Sequence, residues 1–588
     1  MSAGSVISSV FFSILSLAAA LLIFWYYTKI SAKSIPVLCR VCSVVALFST
    51  ILPFPLLVVD INAALDTKAN PALPKETWMI GVWYTIVAVT YIMGWAVLPV
   101  SQLYTQVGEF VPRRKLKHAI RANLKLYAIY LIVIVVLFGY IVFLKRAYGS
   151  FSSILKLAIS LANAWGLILL VLFMSAGLVG VPKMLWRSSD AVRMLRRAYF
   201  KAVDIQEDLD IAAMELAEIK AELMMIHPMV AEEHRAHWTH MMEKIANADR
   251  DIPQYHSASA RVKRTTGDQH TDVSLAHLEV LHERVKYSIK IALRMNHLWD
   301  TTLRNCLSYD ELVRGVKSSN NPLKRCWFSV RGIFYKVAAM CTCVLTLLVL
   351  WSELVLPFQP LTSKQLSVIA LAMRSDFQLV GSMMFMFYMA YCSYWAILQL
   401  KVFDIYLMLP SISDNASLCF SIIFLARLIM PLGFNFLLIA GLVADDIDVM
   451  YGHVYRRNMD VSLVLGSWLN QFIPMFIPFF AALVLLKLEK RLLLIVGVET
   501  HNPDDVMSNA VRQRIEDGHR LVAHALGQPL TALDLGGLGI PSRESAATAA
   551  AAHATTSPAT GQPRPAERGQ RYREYLARRK AMEEGGPV

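Results

Sequence analysis

Nine stretches of this sequence are apolar over a length sufficient to cross about 30 Å of hydrocarbon, and no other feature narrows the possible folds as far. They lie near 4 to 28, 35 to 59, 77 to 104, 126 to 144, 157 to 181, 337 to 356, 377 to 400, 418 to 443 and 462 to 486. In lipid a backbone N–H or C=O group has no water to bond, so a spanning segment must satisfy its own backbone. None of the nine runs alternates as a barrel strand would, so each is expected to be a helix. The expected fold class is all-α, a polytopic membrane protein with about nine transmembrane helices. Composition agrees: 56% of residues are hydrophobic and 17% charged, outside the balance of soluble domains.

Orientation is read from the placement of Lys and Arg. The first basic residue, Lys29, follows the first run instead of preceding it, so that run is expected to be an uncleaved helix and not a signal peptide. With the N-terminus outside, the inner loops and helix ends carry 22 Lys and Arg and the outer ones nine. The 145 to 156 loop, with Lys145, Arg146 and Lys156, runs against this bias. The net charge of +14 is read as topological. No zinc-finger spacing or basic-aromatic RNA motif accompanies it, so nucleic acid is not an expected partner. Cys39 and Cys42 form a CxxC without the βαβ context of a redox site. With most of the eight cysteines in or beside apolar runs, no disulfide framework is expected.

Four regions follow: 1–181 with helices one to five, a cytoplasmic insertion over 182–336, 337–487 with helices six to nine, and a cytoplasmic tail over 488–588. Within the insertion Leu195, Ala198, Ala202, Ile205, Leu209, Ala212, Leu216, Ile219, Leu223 and Ile226 recur at 3-4 spacing, the signature of a helical seam. Pro228 ends it, and Leu275, Leu278, Val285, Ile289, Ala292 and Trp299 begin a second periodic run. Because both ends return to the same membrane face, the two runs are expected to pair as an antiparallel coiled-coil hairpin. Its two readings are a structural stalk and a docking surface for partners. In the tail, Asn502-Pro503-Asp504 opens an amphipathic helix expected from about Val506 to Leu526. The Ala-, Thr-, Ser- and Pro-rich sequence after 528 is expected to be disordered.

His234, His237 and His240 share one helical arc beside Glu233, yet match no metalloprotease spacing, and no metal or cofactor is expected. Nucleophile-elbow, Walker and dinucleotide-binding motifs do not occur, so the chain is not expected to be an enzyme. The informative residues are polar ones inside the spans, which by default face the bundle interior or a water-filled cavity. Arg427, near the middle of the eighth span, is the clearest. Pro431 frees its carbonyl, and Asn435 follows two turns later. Glu353, Asn163, Asn470 and Gln471 are candidate neighbours. Two readings stand, a polar clamp between helices and a ligand or ion site.

Several motifs carry a family resemblance. They are Gly177-Leu178-Val179 with Pro182 and Trp186-Arg187, His227-Pro228 after the first coil, Trp351-Ser352-Glu353 in the sixth span, Arg427-Leu428 through Pro431 to Asn435-Phe436-Leu437 in the eighth, and Leu493 to Gly497 after the ninth. With a coil inserted after the fifth of nine spans, the sequence to about residue 505 resembles the limb-region membrane-protein family, and most its domain-containing-protein-two branch. That family includes lipocalin receptors and a lysosomal cobalamin-handling protein. The resemblance implies a non-enzymatic receptor-like or scaffolding protein of the plasma membrane or an endolysosomal membrane. It would act in signalling linked to G-protein-coupled receptors, or in trafficking, with partners recruited by the 195–300 coil. A transporter or channel using the polar intramembrane residues is the competing class. The resemblance does not extend to the Ala-rich tail, so partners that depend on the tail are open.

Overall fold

The computed structural model describes residues 3–70, 76–145, 151–249, 274–314, 322–361, 366–375, 378–399, 408–442, 447, 449–459, 473–486, 509–527 and 530. Among them every regular element is a helix. In order they are α1 (Ala3–Thr28), α2 (Val37–Ile51), α3 (Pro53–Ala69), α4 (Trp78–Ile92), α5 (Leu98–Gln106), α6 (Pro112–Lys145), α7 (Phe151–Ser188), α8 (Ala191–Ile226) and α9 (Arg235–Ala248). There follow α10 (Leu275–Arg314), α11 (Pro322–Val355), α12 (Val368–Ala372), α13 (Gln378–Leu398), α14 (Asn415–Ile439), α15 (Met450–Met459), α16 (Phe476–Leu485) and α17 (Asn509–Leu526).

Six described helical runs are long and apolar enough to cross a membrane: Gly4–Thr28, Val37–Ala69, Trp78–Gln106, Ala164–Ser188, Cys326–Phe358 and Asn415–Ile439. The expected fourth span falls on α6, the seventh is the 21-residue α13, and of the ninth only Ile473–Leu485 is described. The fold class is the expected all-α membrane protein, while six described spans stand against the nine read from sequence. One boundary moves substantially. The second span was expected to stop at 59, but α3 continues to Ala69, and Asp60 on it is 2% exposed instead of lying in an outer loop.

Proline and glycine set the local geometry. Pro53 opens α3 directly after α2, so the two make one crossing with a joint at Leu52. A five-residue π-helical segment, Met93–Val97, links α4 to α5. Pro431 inside α14 cannot donate to the Arg427 carbonyl. At that level α7 comes close: a Cβ on Gly166 would stand 2.7 Å from the Arg427 oxygen.

The chain divides into two compact units, one formed by Met1–Ser189, Glu279–Glu283 and Gly332–Thr500, the other by Asp190–Leu278, Arg284–Arg331 and His501–Val588. The core of the first is built by α3, α4, α7, α13, α14 and α15, with Leu57, Trp83, Leu170, Met389, Leu428 and Phe436 fully buried. Polar links cross it. The Thr346 hydroxyl donates to the Leu178 carbonyl at 3.0 Å and meets the Tyr388 hydroxyl at 2.6 Å, tying α11, α7 and α13 together. Much of α1 and the middle of α6 instead present exposed Phe11, Ile14, Leu22, Leu131 and Ile132, the surface a lipid solvent requires.

In the second unit the expected seam is inside: Leu195, Ala202, Ile205, Leu209, Ala212, Leu216, Ile219 and Leu223 are all buried. Arg284 pairs with Glu222 at 3.0 Å and the Ser288 hydroxyl donates to Glu215 at 3.1 Å, while Trp299 and Cys306 pack with Leu195 and Tyr199. Numbers that rise on α10 as they fall on α8 make the pair antiparallel. The amphipathic helix expected from about Val506 is α17, starting at Asn509, and it lays Val511, Ile515 and Val522 on the same core, a docking that periodicity alone did not place. Gly518 makes that approach possible, since a Cβ there would collide with the backbone of Tyr199. Arg514 pairs with Asp204, and its guanidinium lies 5.2 Å from the Phe200 ring centroid. The disordered reading of the tail after 528 falls outside the described residues, apart from the buried Leu530.

Candidate functional site

Arg427 is the thirteenth residue of the 25-residue α14 and so occupies its middle. Its guanidinium carbon lies 4.6 Å from the centroid of Trp95, in the π-helical segment. The two line a small part-open cleft of about 20 Å³ together with Thr90, Tyr91, Gly94, Ala426, Met430 and Pro431. The phenols of Tyr127 and Tyr130 on α6 stand near the guanidinium, and the Tyr127 hydroxyl donates to the Trp95 carbonyl. The Nε of Arg427 is buried without a hydrogen-bond partner among the described residues, as is the hydroxyl of Thr90, whose side chain is 2% exposed. An Arg at the centre of a spanning helix costs about 2.5 to 3.5 kcal/mol on insertion scales. A cation–π contact returns about 0.5 to 2 kcal/mol. Trp95 therefore offsets part of the charge and leaves donor capacity unmet beside the cleft.

Asn435 does not join this site. Its amide donates to Glu353 Oε1 at 2.5 Å, joining α14 to α11 near the ends of both helices. Eight residues separate Arg427 from Asn435, a displacement of about 12 Å and a rotation of about 80°, so one amide cannot serve the guanidinium and the carboxyl at once. Glu353, Asn435 and Ser352 are fully buried, and Glu353 Oε2, Asn435 Oδ1 and the Ser352 hydroxyl have no partner among the described residues. The side chain of Asn163, and Asn470 and Gln471 entirely, lie outside the described residues.

A third polar centre was not singled out by sequence. Asp60 accepts from the Trp83 indole at 2.9 Å and from the backbone amides of Met450 at 3.2 Å and Tyr451 at 2.8 Å, holding the first turn of α15. Tyr451 packs edge-on against Trp83 at 4.8 Å, and its hydroxyl donates to the Met430 carbonyl at 2.5 Å, beside the cleft. The signal available in the sequence was one acidic residue at the end of an apolar run, and its partners lie 23 and about 390 positions away. On the second unit the rings of His234 and His237 stack at 6.3 Å, and no group of three metal-ligating side chains occurs among the described residues.

Apolar crossings packed around isolated polar contacts, with a helical insertion between α7 and α11, define an integral membrane protein of the α-helical class. The chain belongs to the LMBR1-like membrane protein family, whose profile matches residues 4–489. Among its curated relatives is "LMBR1 domain-containing protein 2 homolog" of Drosophila pseudoobscura pseudoobscura, 27% identical over 79% of this chain and 72% of the relative. The human "G-protein coupled receptor-associated protein LMBRD2" is 22% identical over 75% of this chain and 68% of its own. "LMBR1 domain-containing protein 2 homolog A" of Dictyostelium discoideum is 24% identical over 75% and 62%. No solved structure matches.

Proposed function

We propose that this chain is a receptor-associated scaffold, in which the spanning bundle is the anchor and the helical insertion recruits signalling or trafficking proteins at the membrane. The carrying observation is the core shared by α8 and α10 of the insertion with α17 of the tail, a packed helical module with its own interior. Four relatives bear names that associate them with G-protein-coupled receptors, which supports that class of partner. The insertion and the C-terminal tail face the cytoplasm and the N-terminus the outside or lumen, in keeping with the distribution of Lys and Arg. The membrane is the plasma membrane or an endolysosomal one.

Proximity labelling from the insertion tests this reading. The full chain should mark receptors and their regulators, and a version lacking residues 195 to 300 should lose them. An unchanged set of neighbours would sink it. The part-open cleft at Arg427 favours a second reading, passage of a small solute, which flux measurements in proteoliposomes address.

A further inference from the structure

The cleft at Arg427 holds a cation at the middle of a spanning helix with no acidic side chain against it among the described residues. Glu353, the acidic residue nearest by motif, is bonded to Asn435 instead. Two donors at the cleft are left over. One is the buried Nε of Arg427, and the other is the hydroxyl of Thr90, a side chain 2% exposed. A fixed positive charge, a hydroxyl and an aromatic face converging on a cleft suit an anion, with the guanidinium fork matching two oxygens. The surrounding solvent selects its source. The cleft is cut into helices long and apolar enough to cross hydrocarbon, which favours an occupant dissolved in the membrane. The enclosed space is about 20 Å³, room for a group the size of a water molecule or one carboxylate oxygen, so only the tip of a head group enters and any chain stays outside.

We propose that this cleft binds the carboxylate of a single-chain membrane amphiphile, a free fatty acid, with Arg427 pairing the carboxylate, Thr90 donating to it, and Trp95 packing beside the head while the chain leaves through the open side. Pro431 and Gly166 serve the site indirectly. Pro431 cannot donate to the Arg427 carbonyl, and Gly166 lets α7 lie against that backbone without a side chain intervening.

The test uses the full chain in nanodiscs of neutral phosphatidylcholine and a photoactivatable palmitate carrying a diazirine on its chain. Crosslinks should map to α4, α5 or α14. Oleate should compete them away, while oleyl alcohol, with the same chain and no charge, and acetate, with the same charge and no chain, should not. Arg427→Gln should lower specific labelling about tenfold, the worth of a charge-assisted pair, with Arg427→Lys intermediate and Thr90→Val reduced severalfold. Should Arg427→Gln fail to fold, the competition series on the unaltered chain and Thr90→Val carry the decision. Equal competition by oleyl alcohol, competition by acetate alone, or crosslinks confined to other helices would overturn the proposal.

Discussion

Removing the Asp60 carboxylate should be among the most damaging single changes in the first unit. The side chain is buried and accepts from the Trp83 indole and from two amides at the start of α15. Asp60→Ala leaves three donors without an acceptor, and a buried unsatisfied group costs about 1 to 3 kcal/mol, so the sum is about 3 to 6 kcal/mol once some access by water is allowed. Asp60→Asn keeps one acceptor oxygen but turns an NH2 group toward a donor, so about 1 to 3 kcal/mol is expected. Because Tyr451 also holds the Met430 carbonyl, release of α15 should reach the cleft wall. The assay is thermal denaturation of the detergent-solubilised chain, followed by aggregation and by tryptophan emission. The expected order of melting temperature is unaltered chain, then Asn, then Ala, with the indole emission of Trp83 changed in both variants. An Ala variant melting with the unaltered chain, or an Asn variant less stable than Ala, would refute the cap.

The remaining expectations concern both units. Asn435→Leu should destabilise the bundle by about 1 to 3 kcal/mol by stranding Glu353, and the double change with Glu353→Leu should recover much of that loss, because deleting both partners removes the unmet demand; a double variant worse than the single would contradict the pair. Gly518→Val should detach α17 and speed limited proteolysis between 486 and 530 while leaving the α8 and α10 pair intact, and unchanged cleavage would show that the close approach to Tyr199 is dispensable. Burial, with Asp310 nearby, pushes the Cys306 thiol up to about 12. Cys306 should therefore remain a thiol and resist maleimide at neutral to mildly alkaline pH, whereas exposed Cys326 reacts, and thiolate reactivity at Cys306 should grow only as pH rises toward that value.

The parts of this fold legible in sequence are those fixed by repetition along one helix. Apolar runs located the spanning helices, and 3-4 spacing marked the α8 face that is buried, since each depends on residues within a few turns. Contacts between distant helices were less visible. Asp60 looked like a loop residue because a carboxylate ends an apolar average, although Trp83, Met450 and Tyr451 satisfy it. Arg427 lies in the middle of α14 with an aromatic ring from another span over its guanidinium, and the eight residues to Asn435 accumulate a rotation of about 80° that linear spacing does not display. Glu353, a candidate neighbour of Arg427 from sequence, is bonded to Asn435 instead. The helix after residue 506 was evident from its pattern, whereas its docking beside Tyr199 depends on Gly518, a single residue with no periodic signature.

Signalling partners reside in the cytosol, so a recruiting insertion must face that side. Thr266→Cys, in the insertion, and Ala72→Cys, in the segment between the second and third spans, can be compared in intact cells carrying the protein at the plasma membrane, using a membrane-impermeant maleimide and the unaltered chain to subtract native cysteines. The prediction is labelling at position 72 in intact cells and at position 266 only after the membrane is permeabilised. Labelling at 266 from outside an intact membrane would contradict it.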